Sequence, residues 1–126
     1  MRINNQAIFT NGSLGADLAS APIKLDSIYL ASVAATWTGG TAAGTLKVQF
    51  SDDDPNFGDG DDITNWYDAI TSGCVNPAAA VSVAGAGSQL WEIGAQGGVP
   101  HKWMRLVFTR TSGTGTINAR LNVKGV

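Results

Sequence analysis

A chain of 126 residues with 16 glycines, 44% apolar residues and only 14% charged residues fits one compact domain that is rich in turns. The apolar share and the net charge of −2 argue against disorder, and a single cysteine excludes a disulfide framework or a cysteine-based metal cluster. No apolar run has the length of a signal peptide or a membrane span. We therefore expect a protein that is made and kept in a cytoplasm, or assembled there, without a membrane partner.

Apolar and polar residues alternate with a period of two along most of the chain, which predicts β-strands and no long helix. Residues 63–70 fit either a short strand or a helical turn, and glycine or proline marks the turns between the other segments. The pattern predicts an all-β, single-domain antiparallel β-sandwich, jelly-roll-like, with seven to eight strands. The candidate strands in chain order are 6–10, 23–37 (two strands or one bent strand), 45–51, 79–84, 88–93, 102–110 and 115–124.

The N-terminal segment is weakly patterned compared with the rest of the chain. We divide the chain into an N-terminal arm or first strand at 1–22 and a β-sandwich domain at 23–126. A segment of this kind would suit an arm that orders on a neighbouring subunit. We expect it to contribute to oligomerisation or to docking on a partner.

The last two candidate strands predict a hairpin whose register follows from burial. If the apolar residues of both strands lie on one inner face, each apolar residue must pair with an apolar residue of the other strand. A register shift of one residue would turn the apolar residues of one strand outward. A four-residue loop at 112–115 satisfies this condition. It pairs Phe108 with Ala119 and Leu106 with Leu121.

On the outer face, the same hairpin register places Lys124 beside Trp103, where a cation–π contact is expected, and Arg105 beside Asn122. An exposed aromatic residue next to cations is more than a free monomer surface needs. The alternative is that a loop or a third strand covers Trp103. The candidate interface residues are Trp103, Arg105, Lys124 and Arg120.

Six of the ten acidic residues lie between positions 52 and 62, in a glycine-rich stretch that follows a candidate strand. A helix-flanked calcium loop starting at Asp52 is excluded, because Phe57 stands where glycine must turn the chain and Ile63 where the bidentate carboxylate belongs. A looser calcium site with backbone carbonyls stays open. The other interpretation is a solvated hairpin tip. The side chains of the candidate calcium site are Asp54, Asn56, Asp59 and Asp61.

Other chemistry has little support in the sequence. His101 is the only histidine and Cys74 the only cysteine, which is too few for a catalytic triad or a zinc site. Nothing in the spacing selects Glu92 and Asp68 as a carboxylate pair, and residues 85–90 lack the pattern of a phosphate loop. We expect no catalytic residue, no resident metal and no cofactor.

Nucleic-acid binding is also not expected. Outside the acidic stretch four acids face eight lysines and arginines, so the remainder of the chain is only mildly basic. Nucleic-acid-binding faces usually carry more positive charge, with aromatic residues interleaved on one strand face.

Two longer stretches carry a resemblance to a known class of proteins. They are "LKVQFSDDDPNFGDGDDITNW" and "WMRLVFTRTSGTGTINARLNVKG". In the first, a strand leads through the acidic stretch to a tryptophan, and in the second, a strand leads through a Ser-Gly-Thr-Gly turn into the last strand. With these features the sequence resembles small β-sandwich virion proteins of tailed bacteriophages. Within that class it is most similar to jelly-roll capsid decoration (cement) proteins.

The resemblance implies a protein that is assembled in the host cytoplasm and lies on the capsid surface of the virion. It implies binding to the major capsid protein or other virion subunits as a homo-oligomer, a dimer or a trimer, that clamps neighbouring capsomers. It implies no catalytic residue. The expanded aspartate-rich tip departs from the shorter loop that the class would have.

Two other functions stay open at this point. One is another virion role, in the tail, the neck or a fibre. The other is a carbohydrate-binding β-sandwich module, in which exposed Trp37, Trp66 or Trp91 would stack on sugar rings.

Overall fold

The computed structural model describes residues 2–25, 30–53, 63–71, 74–94 and 99–125. Within them the chain is almost entirely β, and seven of its strands have four or more residues. No helix in this part of the chain is long and apolar enough to cross a membrane. The elements are β1 (Arg2–Ser13), β2 (Leu18–Ala19), β3 (Ile23–Lys24), β4 (Leu30–Thr38), β5 (Ala43–Ser51), β6 (Tyr67–Asp68), a 3₁₀-helix (Ala69–Thr71), β7 (Val75–Asn76), β8 (Val81–Ala84), β9 (Gly87–Ile93), β10 (Trp103–Ser112) and β11 (Thr116–Gly125).

The strands form two antiparallel sheets that pack together around one core. Sheet I has the strand order β1-β11-β4-β9-β7. In sheet II, β10 and β5 are the central pair, β2 and β3 lie along the outer edge of β10, and β6 and β8 lie along the outer edge of β5. The prediction of an all-β antiparallel sandwich is confirmed. Residues 63–70, left open between strand and helical turn, include both β6 and the start of the 3₁₀-helix.

Burial follows the alternation of the sequence. In β4, Val33, Ala35 and Trp37 are buried while Ala34 and Thr36 are exposed. A strand that covers a core buries the side chains of one face and exposes those of the other. Both sheets contribute to one hydrophobic cluster. Its largest fully buried side chains are Trp91, Phe50, Phe108, Leu14, Leu46, Ile93, Met104, Leu106, Ile117 and Leu121.

The predicted hairpin of the last two strands is wrong. β10 belongs to sheet II, where Phe108 pairs with Leu46 of β5, and β11 belongs to sheet I, where Ala119 pairs with Ala35 of β4. Both strands bury the faces that were expected, but they do so from opposite sides of the core. Alternation states which face of a strand is buried and contains no information on which strand lies beside it.

The turn between these strands crosses from one sheet to the other. Gly113 has φ +77°, and a Cβ there would collide with the backbone carbonyl oxygen of Thr41. The Thr41 hydroxyl accepts a hydrogen bond from the Thr114 backbone N–H at 3.0 Å and donates one to the Thr114 carbonyl oxygen at 3.1 Å. The crossing is therefore fixed against the turn that precedes β5.

The N-terminal segment forms β1, which pairs with β11 from Arg2 opposite Gly125 to Ser13 opposite Thr116. The pairing has two irregularities on either side of Phe9, and Phe9 itself is buried. Leu14, which directly follows the strand, is completely buried. The candidate strand 6–10 lies inside this longer element, and β1 forms one end of sheet I.

Candidate interaction surface

Polar side chains on the outer face of sheet II form a row that crosses three neighbouring strands. The register places Arg105 of β10 beside Gln49 of β5, and Gln49 beside Asp68 of β6. Lys47 lies two residues before Gln49 and shares its outward side, because the intervening residue of β5 is buried. Side chains that share a face of paired strands are neighbours, so this row brings opposite charges together.

A chain of hydrogen bonds links the members of this row. Arg105 Nε donates to Gln49 Oε1 at 2.8 Å, and Gln49 Nε2 donates to Asp68 Oδ1 at 2.8 Å. Lys47 Nζ donates to Asp68 Oδ2 at 3.2 Å and lies 3.1 Å from Oδ1. Arginine can only donate and a carboxylate can only accept, so the two ends of the row fix the orientation of the amide between them. Gln49 thus joins the cation to the anion.

The row has defined electrostatic consequences. The pKa of the Asp68 carboxyl is held below its ordinary value, first by the hydrogen bond from Gln49 and then by Lys47. Burial lowers the pKa of the Arg105 guanidinium, since desolvation disfavours the charged form, although an arginine still carries its charge at neutral pH. Arg105 is therefore a charged group that has lost part of its hydration.

Trp66 covers the guanidinium. The Cζ atom of Arg105 lies 4.3 Å from the centre of a Trp66 ring, which is a cation–π stack, and both residues are half-buried. The guanidinium is consequently held on one flat side by the indole and at Nε by Gln49. An arginine held at two points has few rotamers left.

The position of Trp66 depends on how the acidic stretch is closed. The Asp53 carboxylate accepts hydrogen bonds from the backbone N–H groups of Thr64 at 2.8 Å and Asn65 at 2.9 Å, and from the Asn65 side chain at 3.0 Å. These bonds hold the pKa of Asp53 below its ordinary value, with the Asn65 backbone N–H as the largest cause. The two ends of the stretch are thus joined immediately before Trp66.

The neighbouring Asp52 has a different partner. Nδ1 of His101 lies 3.3 Å from both carboxylate oxygens of Asp52, and the His101 ring stacks on Phe50 at 4.6 Å between ring centres. The carboxylate of Asp52 is exposed. Asp53 therefore joins the two ends of the acidic stretch, and Asp52 contacts the histidine that precedes β10.

Trp103 is not the exposed aromatic residue that the hairpin register predicted. It is 5% exposed, and its indole Nε1 donates to the Asp53 carbonyl oxygen at 3.1 Å. Its predicted neighbour Lys124 lies in sheet I, where its backbone pairs with Leu30 and Ile3, so the Trp103–Lys124 contact is wrong. The physical reason is the placement of β10 and β11 in different sheets.

The remaining interface candidates are separated by the fold. Arg105 lies on the outer face of sheet II, whereas Arg120 is exposed on sheet I, in a row with Ala34 and Leu90. The candidate calcium residues Asp54, Asn56, Asp59 and Asp61 lie outside the described residues. Among the residues that are described, no group of three or more histidine, cysteine or acidic residues is placed to hold a metal ion.

The tryptophans divide in a way that weakens the carbohydrate interpretation. Trp37 and Trp91 are core residues, and within the described chain their indole nitrogens have no hydrogen-bond partner. Neither can stack on a sugar. Of the three tryptophans proposed for such a platform, Trp66 is the half-exposed one, and Arg105 occupies one of its faces.

Sequence reasoning missed the residues that hold Arg105. Outward polar positions at Lys47 and Gln49 were visible in the alternation of β5. Nothing local indicated that Asp68 would lie beside them, because the acidic stretch separates β6 from β5 in the sequence and the two strands pair across it.

No protein-family model matches the sequence, and a search of curated proteins also found no match. Among solved structures, the chain is similar to the SPBc2 prophage-derived protein YomS, with 9% identity, a TM-score of 0.56 and coverage of 96% of this chain and 93% of YomS. It is also similar to the PBSX exported protein XepA, with 15% identity, a TM-score of 0.59 and coverage of 98% of this chain. The chain spans 37% of the length of XepA. These likenesses establish a fold shared with phage-derived proteins.

Proposed function

We propose that this chain is a structural protein of a tailed-phage virion that binds the outside of the capsid as a decoration, or cement, protein. The observation that carries the proposal is the match to YomS, in which one sandwich accounts for almost the whole of both chains. The resemblance of the strand and turn motifs to phage decoration proteins supports the same assignment. In this role the chain has no catalytic residue and needs no cofactor.

The outer face of sheet I suits contact with another protein. Arg120, Ala34 and Leu90 form one row across β11, β4 and β9, and Asn118, Thr36 and Ser88 form the next. These side chains are short or uncharged except for Arg120, and Leu90 is an exposed large apolar residue. These two rows, beside the row that contains the exposed Glu92, lose little hydration when a flat partner covers them.

The edge of sheet I offers a second means of association. β1 lies at the end of the strand order, so among the described strands one of its edges has no partner. An edge strand can pair with a strand of another chain through backbone hydrogen bonds. We propose that this edge contributes to a homo-oligomer, a dimer or a trimer, on the major capsid protein or another virion subunit.

A second candidate is a component of the tail, the neck or a fibre. It is favoured by the match to XepA, which shows that this fold also occurs within a chain much longer than this one. The two candidates differ in where the protein would lie on the particle.

The test is to compare virions of the phage that encodes this chain with virions from which its gene has been deleted. For a cement protein we expect the chain in washed particles, density on the outer capsid surface by cryo-electron microscopy, and deleted particles that release DNA at a lower temperature. Density at the tail, neck or fibre would assign the second candidate instead. Absence of the chain from washed particles would contradict both.

A further inference from the structure

Arg105 is a half-buried cation without a counter-ion in the described chain. Its Nε–H donates to Gln49, and Trp66 stacks on one flat side of the guanidinium. Across the described residues it makes no other hydrogen bond or ion pair, so both terminal nitrogens have donors to spare. A guanidinium has five N–H donors, and in the described part of the chain one of them, Nε–H, has a protein acceptor.

The nearby carboxylate is not available to neutralise Arg105. Both oxygens of Asp68 are engaged, one by Gln49 and Lys47 and the other by Lys47. Lys47 therefore balances the charge of Asp68, while the charge of Arg105 has no anionic partner among the residues that the structure describes. A cation that has lost hydration without gaining an anion is destabilising, and an anion from another molecule would relieve that cost.

The guanidinium is already oriented for such a partner. Because Gln49 and Trp66 hold it, binding an anion would cost less side-chain entropy than at a freely moving arginine. The planar fork of a guanidinium matches the two oxygens of a carboxylate, which is why arginine is preferred at bidentate sites.

Local charge favours a single carboxylate over a polyanion. The chain is acidic overall, with a net charge of −2. The carboxylate of Asp53 is fixed on Thr64 and Asn65, directly beside Trp66 in the chain. A net negative charge and a nearby carboxylate repel the many charges of a nucleic-acid backbone more strongly than they repel one acidic side chain.

We propose that Arg105, stacked on Trp66 and held by Gln49, is a docking site for an aspartate or glutamate side chain of a protein partner. The identity of that partner as a virion subunit rests on the proposed function. Recognition of the carboxylate is a property of the isolated chain and is tested separately.

The first test is an NMR titration of the full chain with the peptide acetyl-Ala-Glu-Ala-amide. Arg105 Nε–H and the Trp66 indole N–H should shift at peptide concentrations about tenfold lower than those that shift Arg110 Nε–H, which corresponds to about 1.4 kcal/mol. Arg110 is the internal control, because it is exposed and, among the described residues, its side chain donates to the Gly113 carbonyl oxygen while its backbone N–H donates to Asp17 Oδ1. The neutral peptide acetyl-Ala-Gln-Ala-amide should shift neither group.

Variants distinguish the contribution of the guanidinium shape to peptide binding from that of its positive charge. Arg105→Lys keeps the charge but loses the fork, so we expect the Trp66 response to weaken about tenfold or more. Arg110→Lys is the matched control and should leave it unchanged. The backbone spectrum of each variant shows whether it is folded. Arg105→Gln, which removes the charge and the fork and should abolish the Trp66 response, is the second variant should Arg105→Lys not fold.

Three results would overturn the proposal: equal responses at Arg105 and Arg110, an unchanged response in Arg105→Lys, or tighter binding of a single-stranded oligonucleotide than of the glutamate peptide. Failure of the proposed function is a different result, namely absence of the chain from washed virions. If virions take up the Arg105→Lys chain as well as the original chain in direct competition, the assignment of a virion subunit as the partner fails.

Discussion

The guanidinium carbon of Arg105 lies 4.3 Å from the centre of a Trp66 ring, and this stack joins the central strand β10 to the segment that enters β6. Gln49 lies beside Arg105 and connects it to Asp68 of β6. Together the two contacts connect β10, β5 and β6 of sheet II through one polar network. The following predictions test that network, the closure of the acidic stretch and the crossing turn.

Removal of the indole should destabilise the fold by a modest amount. We expect Trp66→Ala to lower the free energy of unfolding by about 1–2 kcal/mol, because the cation–π contact and the ring's buried area are both lost. Trp66→Phe keeps an aromatic face for Arg105 and should recover about half of that loss. Urea unfolding at constant pH measures both. Equal losses in the two variants would mean that the stack on Arg105 contributes nothing.

Loss of the bridging amide should change the titration of Asp68. The hydrogen bond from Gln49 is the largest cause of the lowered pKa of Asp68, so Gln49→Ala should raise that pKa toward its ordinary value of 3.8. Carboxyl ¹³C NMR against pH measures the change. Thr45→Ala is the control, since Thr45 is an exposed residue of the same strand and should leave the Asp68 titration where it is. An unchanged Asp68 titration in Gln49→Ala would contradict the network.

The closure of the acidic stretch should be sensitive to acid. The pKa of Asp53 is lower in the folded chain than its ordinary value of 3.8. Its stabilising effect is therefore fully present above pH 3.8 and is lost as the pH falls from there through the folded pKa. The amide resonances of Thr64 and Asn65 should follow this titration, and in Asp53→Asn they should not. A transition of both amides centred above 3.8 would contradict the assignment.

Two glycines with the same sign of φ should respond differently to alanine. Gly40 has φ +74° and open space around a built Cβ, whereas a Cβ at Gly113 would collide with the Thr41 carbonyl oxygen. We expect Gly40→Ala to cost about 1 kcal/mol for the left-handed backbone alone. Gly113→Ala should cost about 2 kcal/mol more, because the backbone of the crossing turn must move. Similar midpoints of denaturant unfolding for the two variants would show that the turn is not tightly held.

Deletion of residues 1–13 should do more than remove an arm. It removes β1, uncovers the edge of β11 and takes Phe9 from the core. We expect the truncated chain to self-associate through the uncovered edge, which light scattering on a sizing column would detect. A truncated chain with the oligomeric mass and melting temperature of the full chain would contradict this role for β1.

The alternation of the sequence was sufficient to predict the fold class and much of the core. Met104, Leu106 and Phe108 face inward as the pattern of β10 requires, and so do Ile117, Ala119 and Leu121 of β11. Burial of alternate residues is a local property, since each strand has one face toward the core whatever strand lies beside it. Arg105 was identified from the same pattern as an outward residue.

Strand partners and the surroundings of the surface residues were decided by the tertiary structure alone. Trp103 is buried and donates to the Asp53 carbonyl oxygen instead of lying beside Lys124, and Arg105 contacts Gln49 and Trp66 instead of Asn122. Each of these contacts joins residues that are far apart in sequence and depends on which sheet a strand enters. That choice is made by the packing of two whole sheets around one core, which no short pattern in the chain contains.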